Sequence, residues 1–183
     1  MSTAVAPLTV EQFLALPEEE GVRRELINGE VITEEITMAW AGQPHEIVKS
    51  NFVQELGAFF KQRPIGRAMS ETPYRLGPED APMPDVSVIL KGRLQPGQSG
   101  LIAICPDIAI EVVSSEPAAV LRAKVQLYLQ HGAKAVWVAY PELRMIQVYT
   151  GREVRELTGD EPLEAPDILP GFRVPASVFF ADL

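Results

Sequence analysis

The clearest periodicity in the chain lies between residues 44 and 62. Pro64 and Gly66 follow this stretch, and both residue types commonly end helices. Spacings of three and four residues place side chains on one face of a helix, so the pattern predicts one long amphipathic helix over 44–62. The apolar residues that show this spacing are Ile47, Val48, Phe52, Leu56, Phe59 and Phe60.

Four apolar segments after this helix are typical of β-strands. Three of them, residues 68–76, 85–90 and 108–113, are bounded by proline or glycine clusters. A second helix is expected over 117–131, with proline in its first turn and Gly132 at its end. The nearly all-apolar segment 135–140 follows that helix and indicates a central strand that is covered on both faces.

Hairpins are predicted at both ends of the chain. Asn28-Gly29 stands between two apolar pairs, which is the strongest short signal for a tight β-turn. Before it, Thr9 can cap a short helix that runs through Leu16. Segments 143–149 and 153–157 suggest a further hairpin, and the tail that ends in Phe179-Phe180 is expected to pack back on the body.

The order of these elements predicts the fold class. A late strand–helix–strand unit implies a parallel pair of strands joined by a right-handed crossover, and the three earlier strands can pair as an antiparallel meander. We therefore expect an α/β (α+β) fold with a mixed sheet flanked by helices and accessory hairpins at both ends. Strand 108–113 should lie between 85–90 and 136–140, parallel to the latter. The length suits one domain over 1–183.

Charge and composition narrow the possible functions. The formal net charge is −9, opposite to the basic balance expected of a protein that tracks phosphates. An acidic chain can still act on nucleic acid when a metal ion supplies the local positive charge. The single cysteine excludes an internal disulfide and a thiolate zinc site. With no long apolar run and no signal-peptide pattern at the N-terminus, a cytoplasmic protein without membrane contact is expected.

Three charged residues stand where the pattern calls for apolar ones. Asp85 begins one strand, and Glu111 lies inside another, where strand alternation places it beside small apolar neighbours. Lys124 lies on or next to the apolar stripe of the second helix. Buried charges are costly unless they are paired. A set of two acids and one lysine that converge is a plausible site for Mg²⁺ and an attacking water.

Each of these residues also has a structural interpretation. Asp85 could simply begin a strand, Glu111 could pair with Arg122, and Lys124 could extend to the rim of its helix. The joint pattern nevertheless favours a site. Of two accessory candidates, His45 faces the core side of the first long helix as a core histidine or as a group at the edge of the site. Glu25 stands near Arg23 and Arg24, which favours a structural ion pair.

At these residues the sequence resembles the Uma-type endonucleases, a bacterial family of restriction-endonuclease-like proteins. The resemblance spans nearly the whole chain. The blocks that carry it are residues 25–30, His45, residues 84–88, residues 111–114, Lys124 with Tyr128, residues 135–138 and residues 169–172.

The resemblance implies a PD-(D/E)XK core. Asp85 and Glu111 would then hold Mg²⁺ or Mn²⁺ together with the backbone carbonyl of Val112, and a lysine would assist the attacking water. Valine occupies position 113, where the basic motif has its lysine, and the resemblance suggests that Lys124 takes that role from the helix. Because restriction-like nucleases often cut both strands as dimers, a homodimer with closed two-fold symmetry is expected.

The leading hypothesis is thus an endonuclease that hydrolyses phosphodiester bonds in DNA with metal-activated water. The alternative is a catalytically weak or inactive nuclease-fold module that binds or regulates. The net charge favours the alternative, and the complete set of Asp85, Glu111 and Lys124 favours the enzyme. A purely structural domain fits poorly with two acids that point inward.

Overall fold

The computed structural model describes residues 6–35, 43–94 and 100–183. Residues 1–5, which belong to the N-terminal segment judged not to be a signal peptide, lie outside these ranges. The helices and strands in chain order are α1 (Val10–Leu14), β1 (Val22–Ile27), β2 (Glu30–Glu35), α2 (Gln43–Gln62), β3 (Gly66–Ser70), β4 (Val86–Leu90), β5 (Ile108–Val112), α3 (Ala118–Gln130), β6 (Ala135–Tyr140), a 3₁₀ turn (Pro141–Leu143), β7 (Met145–Thr150), β8 (Glu153–Thr158), β9 (Pro162–Glu164), β10 (Arg173–Pro175) and α4 (Ala176–Phe179).

A six-stranded mixed sheet in the order β3-β4-β5-β6-β7-β8 occupies the centre. All neighbouring strands are antiparallel except β5 and β6, which are parallel and joined by α3. Strand β5 therefore lies between β4 and β6, and the predicted arrangement of these strands is confirmed. The predicted mixed sheet with flanking helices is likewise confirmed.

Strand alternation divides the core into two layers on opposite faces of the sheet. One face of β5 packs against α2 and the C-terminal tail, and the other packs against α3. Burying apolar side chains on both faces explains why β4, β5 and β6 are nearly continuous apolar runs. The first layer includes Ile108, Ile110, Val112, Phe52 and Trp137, and the second includes Ala109, Val136, Val138, Leu121 and Val125.

The C-terminal tail packs on the α2 side of the sheet, as predicted. Phe179 stacks on Phe52 with their ring centroids 4.2 Å apart, and Phe172 stacks on Trp137 at 6.0 Å. The side-chain amide of Asn51 donates to the carbonyl of Phe179 over 3.1 Å. These contacts cover the inner face of α2 with aromatic side chains from the tail.

The N-terminal hairpin β1–β2 forms a two-stranded sheet of its own. Asn28 and Gly29 make its turn with φ angles of 51° and 75°, as the Asn-Gly pair predicts. Backbone hydrogen bonds in both directions join Leu26 to Ala81 over 3.2 and 2.8 Å. The hairpin is thus anchored to the segment that leads into β4, and β1 is brought beside Asp85.

Three expectations about element boundaries need correction. The strand predicted over 68–76 ends at Ser70, because Glu71 adopts a left-handed φ of 44° and Pro73 follows. The hairpin β7–β8 continues the central sheet, and the separate pair at the C-terminal end is β9–β10. Helix α1 ends at Leu14 and does not reach Leu16.

The helices within residues 6–35, 43–94 and 100–183 are too short or too polar to cross a bilayer.

Replacing Gly29 with alanine should destabilise the protein more than Gly21→Ala does. Both glycines have a φ of 75°, where an L side chain costs ~1–2 kcal/mol. A Cβ atom at Gly29 would overlap Pro7 and lie 2.9 Å from its Cα, whereas a Cβ at Gly21 would meet nothing within 4 Å. Urea denaturation of the two variants measures the difference. Equal losses would show that Pro7 moves aside and does not hold the turn.

Candidate active site

Asp85 and Glu111 lie side by side on the α3 face of the sheet. The antiparallel register pairs Val86 with Ile110, so that the residue before β4 comes opposite Glu111. One carboxylate oxygen of Asp85, Oδ2, accepts the backbone N–H of Val112 over 2.8 Å. Asp85 therefore ties the start of β4 to the end of β5, and both acids are buried at the same position in the sheet.

Lys124 points into this position from α3 and is only 3% exposed. Its Nζ donates to Glu111 Oε2 over 2.7 Å and to Glu25 Oε2 over 3.0 Å. One helical turn later, the hydroxyl of Tyr128 donates to Glu111 Oε1 over 2.8 Å. The interpretation of Lys124 as a rim residue is thus wrong, and the partner of Glu111 is Lys124 and not Arg122.

The position of Glu25 corrects a second interpretation. We expected an ion pair with Arg23 or Arg24, but Glu25 pairs with Lys124, 99 positions later in the chain. Its other oxygen accepts the backbone N–H of Met83. Strand β1 therefore supplies a third carboxylate to the site. One sequence feature points to this role of Glu25, which is its place in the strand that leads into the Asn28-Gly29 turn.

Two basic side chains, His45 and Arg23, contact Asp85. His45 Nε2 lies 3.2 Å from Asp85 Oδ2, and Arg23 Nη1 donates to Asp85 Oδ1 over 3.3 Å. Arg23 also donates to the backbone carbonyl of Met83 and lies 3.5 Å from Glu71 Oε1. His45 is therefore a group of the site, and it is not a core histidine enclosed by apolar residues.

Sequence reasoning assigned no site role to five residues around the two acids, namely Arg23, Glu46, Lys49, Glu71 and Tyr128. Lys49 binds Glu46 over 2.7 Å and Glu71 over 3.0 Å, and Glu46 in turn lies 3.2 Å from His45 Nδ1. These contacts link into a closed ring of charged groups that begins and ends at Asp85. Lys49 could have been noted, because it follows Val48 on the inward side of the 44–62 helix.

A cavity of about 340 Å³ opens beside these groups. More negative than positive groups line it, so its charge favours a bound cation. The charged residues that line it are Glu25, Glu34, Asp85, Glu111 and Glu116 on the acidic side, and Arg23, Lys124 and His45 on the basic side.

The environment lowers the pKa of Asp85. Burial by itself would raise it, but the hydrogen bond and charge of His45, together with the charges of Lys124 and Arg23, outweigh that effect. The same contact acts on His45 in the opposite direction. Burial lowers the pKa of its imidazole, yet the hydrogen bonds and charges of Asp85 and Glu46 raise it overall.

Glu111 shows the reverse behaviour. Burial, together with the negative charges of Asp85, Glu25 and Glu116, raises its pKa well above the ordinary value against the opposing charge of Lys124. The pKa of Lys124 is also raised, because the surrounding carboxylates outweigh the effect of its burial. Neighbouring acids with pKa values pushed apart are typical of functional sites.

The donor set fits a hard divalent cation. Carboxylate oxygens of Asp85 and Glu111 lie beside the cavity together with Val112, and Mg²⁺ prefers oxygen ligands while keeping several of its waters. In the parts of the chain that the structure describes, no three acidic, histidine or cysteine side chains already stand close enough to hold a metal ion. Arg23, His45, Lys124 and Tyr128 instead contact the carboxylate oxygens of Asp85 and Glu111.

Comparison with known proteins identifies the family. The model of the Uma2 family, described as "Putative restriction endonuclease", matches residues 10–177. This chain belongs to the Uma2 family. The resemblance found in the sequence is thereby confirmed. A search of curated proteins found no match.

A solved structure shows the same fold. It is the crystal structure of a "putative nuclease belonging to DUF820" from Anabaena variabilis ATCC 29413, with a TM-score of 0.82. The two sequences are 25% identical, and the alignment covers 96% of this chain and 98% of that chain. Family and fold together place this Uma2 protein among restriction-endonuclease-like nucleases.

Lys124→Met should destabilise the metal-free protein by roughly 3–5 kcal/mol, because it leaves buried carboxylates without their cation. Lys134→Met is the matched control, since Lys134 also pairs with a buried acid, Asp107, over 3.1 Å, but its own side chain is half-exposed and Asp107 keeps Arg93 as a second cation at 2.7 Å. Its cost should stay below about 1 kcal/mol. Urea denaturation at neutral pH measures both. Equal costs would contradict a buried Lys124 that neutralises two acids.

Proposed function

We propose that this Uma2 protein is a metal-dependent endonuclease that hydrolyses phosphodiester bonds in DNA. The observation that carries the proposal is the convergence of Asp85, Glu111 and Lys124 on one cavity, in a chain whose family and fold are nuclease-like. The three residues come from the start of β4, from β5 and from α3. Buried charges brought together from separate elements are costly for stability, which favours a function over a structural role.

Asp85, Glu111 and the backbone carbonyl of Val112 are the proposed ligands of Mg²⁺ or Mn²⁺. Bound there, the ion would polarise a phosphoryl oxygen and lower the pKa of a water. The excess of carboxylates around the cavity supports this assignment, because a divalent cation would offset both the burial and the repulsion that raise the pKa of Glu111. The lowered pKa of Asp85 keeps that carboxylate ionised, as a metal ligand must be, and the cation would compete with His45 and Arg23 for its oxygens.

Lys124 is the proposed assistant of the attacking water. Its ammonium group carries three N–H donors, and two of them are directed at Glu111 and Glu25. The remaining donor can orient a water or a phosphate oxygen in the cavity that Lys124 lines. His45 and Arg23 hold Asp85 in place, and both line the same cavity, where an anionic substrate would meet their positive charge.

The alternative is a Uma2 module that binds metal and nucleic acid with little or no hydrolysis. The acidic lining of the cavity and the net charge of −9 favour it, because neither attracts a polyanion. The two functions differ in one observable property, which is whether a bound DNA strand is cut when metal is added.

Asp85→Ala and Glu111→Ala should abolish metal-dependent cleavage and weaken metal binding, since each removes a proposed ligand. Lys124→Ala should slow cleavage by ~10²–10⁴-fold, the usual effect of losing an acid–base group, and spare metal binding. The Mg²⁺ affinity of the Lys124→Ala variant should equal or slightly exceed that of the wild type, because Lys124 no longer competes with the metal ion for Glu111. Cleavage of labelled DNA and calorimetric titration with Mn²⁺ measure the two effects separately.

Glu153→Gln is the control for this series. Glu153 is exposed on β8, three strands away from β5, so both cleavage and metal binding should match the wild type. A wild-type protein that binds Mn²⁺ and DNA but cuts none of a panel of substrates would establish the alternative function. Cleavage that survives Asp85→Ala would exclude the proposed site.

We also propose that the protein is a homodimer. Trp40, the tail and the accessory hairpins are apolar features of the sequence that also suggest association. Trp40 lies outside the described residues, and the tail aromatics Phe179 and Phe180 are buried in their own chain. The remaining support is β8, an edge strand of the central sheet whose Val154 is 51% exposed. Light scattering at tens of micromolar should report twice the mass of one chain. A monomer at that concentration would contradict the proposal.

A further inference from the structure

Glu25 occupies a position that the proposed reaction leaves without a role. It comes from β1, outside the central sheet, and is 8% exposed. Oε2 accepts from Lys124 Nζ over 3.0 Å, and Oε1 accepts the backbone N–H of Met83. Because both oxygens have fixed partners, the carboxylate is held in one orientation toward the ammonium group.

The anchoring of Glu25 does not depend on α3. The next residue, Leu26, exchanges two backbone hydrogen bonds with Ala81, and Leu26 is completely buried. Arg23, on the same face of β1, donates to the carbonyl of Met83. Glu25 is therefore fixed to the segment before β4, so it can hold Lys124 from outside the helix that carries the lysine.

Lys124 has two carboxylate partners, and they differ in what the proposed function asks of them. Glu111, at 2.7 Å, is also a proposed metal ligand. A divalent cation on Glu111 would draw that carboxylate away from Lys124 and would repel the ammonium group. Glu25 is not among the proposed ligands, so its charge stays available to Lys124.

We infer that Glu25 is the positioning residue of Lys124, which it holds beside the attacking water once Glu111 carries the metal ion. The inference rests on the proposed function. In the metal-free protein the two acids share the lysine, and with the metal bound Glu25 is its main anionic partner. Mutating a group that orients a functional side chain commonly lowers activity by ~10–100-fold.

Two other roles for Glu25 give different results. A third metal ligand would act on metal affinity whether or not Lys124 is present. A purely structural ion pair would act on stability and leave turnover unchanged. A double-mutant cycle separates these cases, because residues that act through one another give non-additive effects.

The cycle consists of Glu25→Gln, Lys124→Met and the double variant, with Glu30→Gln as the control. Glu30 is exposed on the same hairpin, so its substitution removes one charge without contact with Lys124. The readouts are kcat on labelled DNA, Mn²⁺ affinity by calorimetry and unfolding in urea. Glu25→Asp, which keeps the charge, is added as a rescue variant that does not require Lys124→Met to fold.

Glu25→Gln should lower kcat by about 10–100-fold with little change in KM, and Glu30→Gln should lower neither. In the Lys124→Met background, Glu25→Gln should lower kcat no further. Mn²⁺ affinity should fall in Glu25→Gln, because Lys124 then competes more strongly for Glu111, and this loss should vanish when Lys124 is absent. Glu25→Asp should recover part of the kcat that Glu25→Gln loses.

A loss of Mn²⁺ affinity that persists in the Lys124→Met background would overturn the inference in favour of a metal ligand. Equal kcat values for Glu25→Asp and Glu25→Gln, or a change in stability alone, would also overturn it. A wild type that binds Mn²⁺ but cuts no DNA would refute the proposed endonuclease, and the Mn²⁺ cycle would still decide the coupling of Glu25 to Lys124. A wild type that binds no Mn²⁺ would overturn both proposals.

Discussion

The site depends on the ion pairs that the buried ammonium group of Lys124 makes with Glu25 and Glu111. A charge removed from water is tolerated only when opposite charges and hydrogen bonds replace its hydration. Here the two carboxylates come from β1 and β5 and the lysine comes from α3, so three elements must meet at one point. The crossover between the parallel strands and the docking of the N-terminal hairpin are both needed for that meeting.

Asp85 shows the same constraint with the signs reversed. Donors around its carboxylate outweigh the effect of burial and lower its pKa, whereas burial and the nearby charges of Asp85, Glu25 and Glu116 raise the pKa of Glu111. In the metal-free protein, the pKa values of these two adjacent acids are therefore shifted in opposite directions. A divalent cation bound by both acids would offset their negative charge, and the nuclease-like fold of the Uma2 family is linked to the proposed chemistry in this way.

Local pattern was a reliable guide wherever a single element bears the signal. The long helix, the Asn28-Gly29 hairpin and the parallel strands beside α3 follow from periodicity, turn chemistry and the handedness of crossovers. The predicted end of β3 was wrong, because Glu71 adopts a left-handed conformation. Its backbone N–H donates to the carbonyl of Asp85 over 3.0 Å. No propensity of a glutamate predicts that conformation, which occurs where β3 leaves its pairing with the neighbouring strand β4.

The sequence by itself determined which residues carry charge inside apolar segments, and that was enough to name Asp85, Glu111 and Lys124. It did not determine their partners. Glu25 stands near Arg23 and Arg24 in the chain, and chain proximity favoured an ion pair with one of them. In the folded protein, Glu25 instead pairs with Lys124, and Arg23 pairs with Asp85. Strand alternation directs both side chains to the same face of β1, but only the docking of that strand against the segment before β4 decides what they meet. The pairing of charges depends on distance in space, and tertiary structure alone sets that distance.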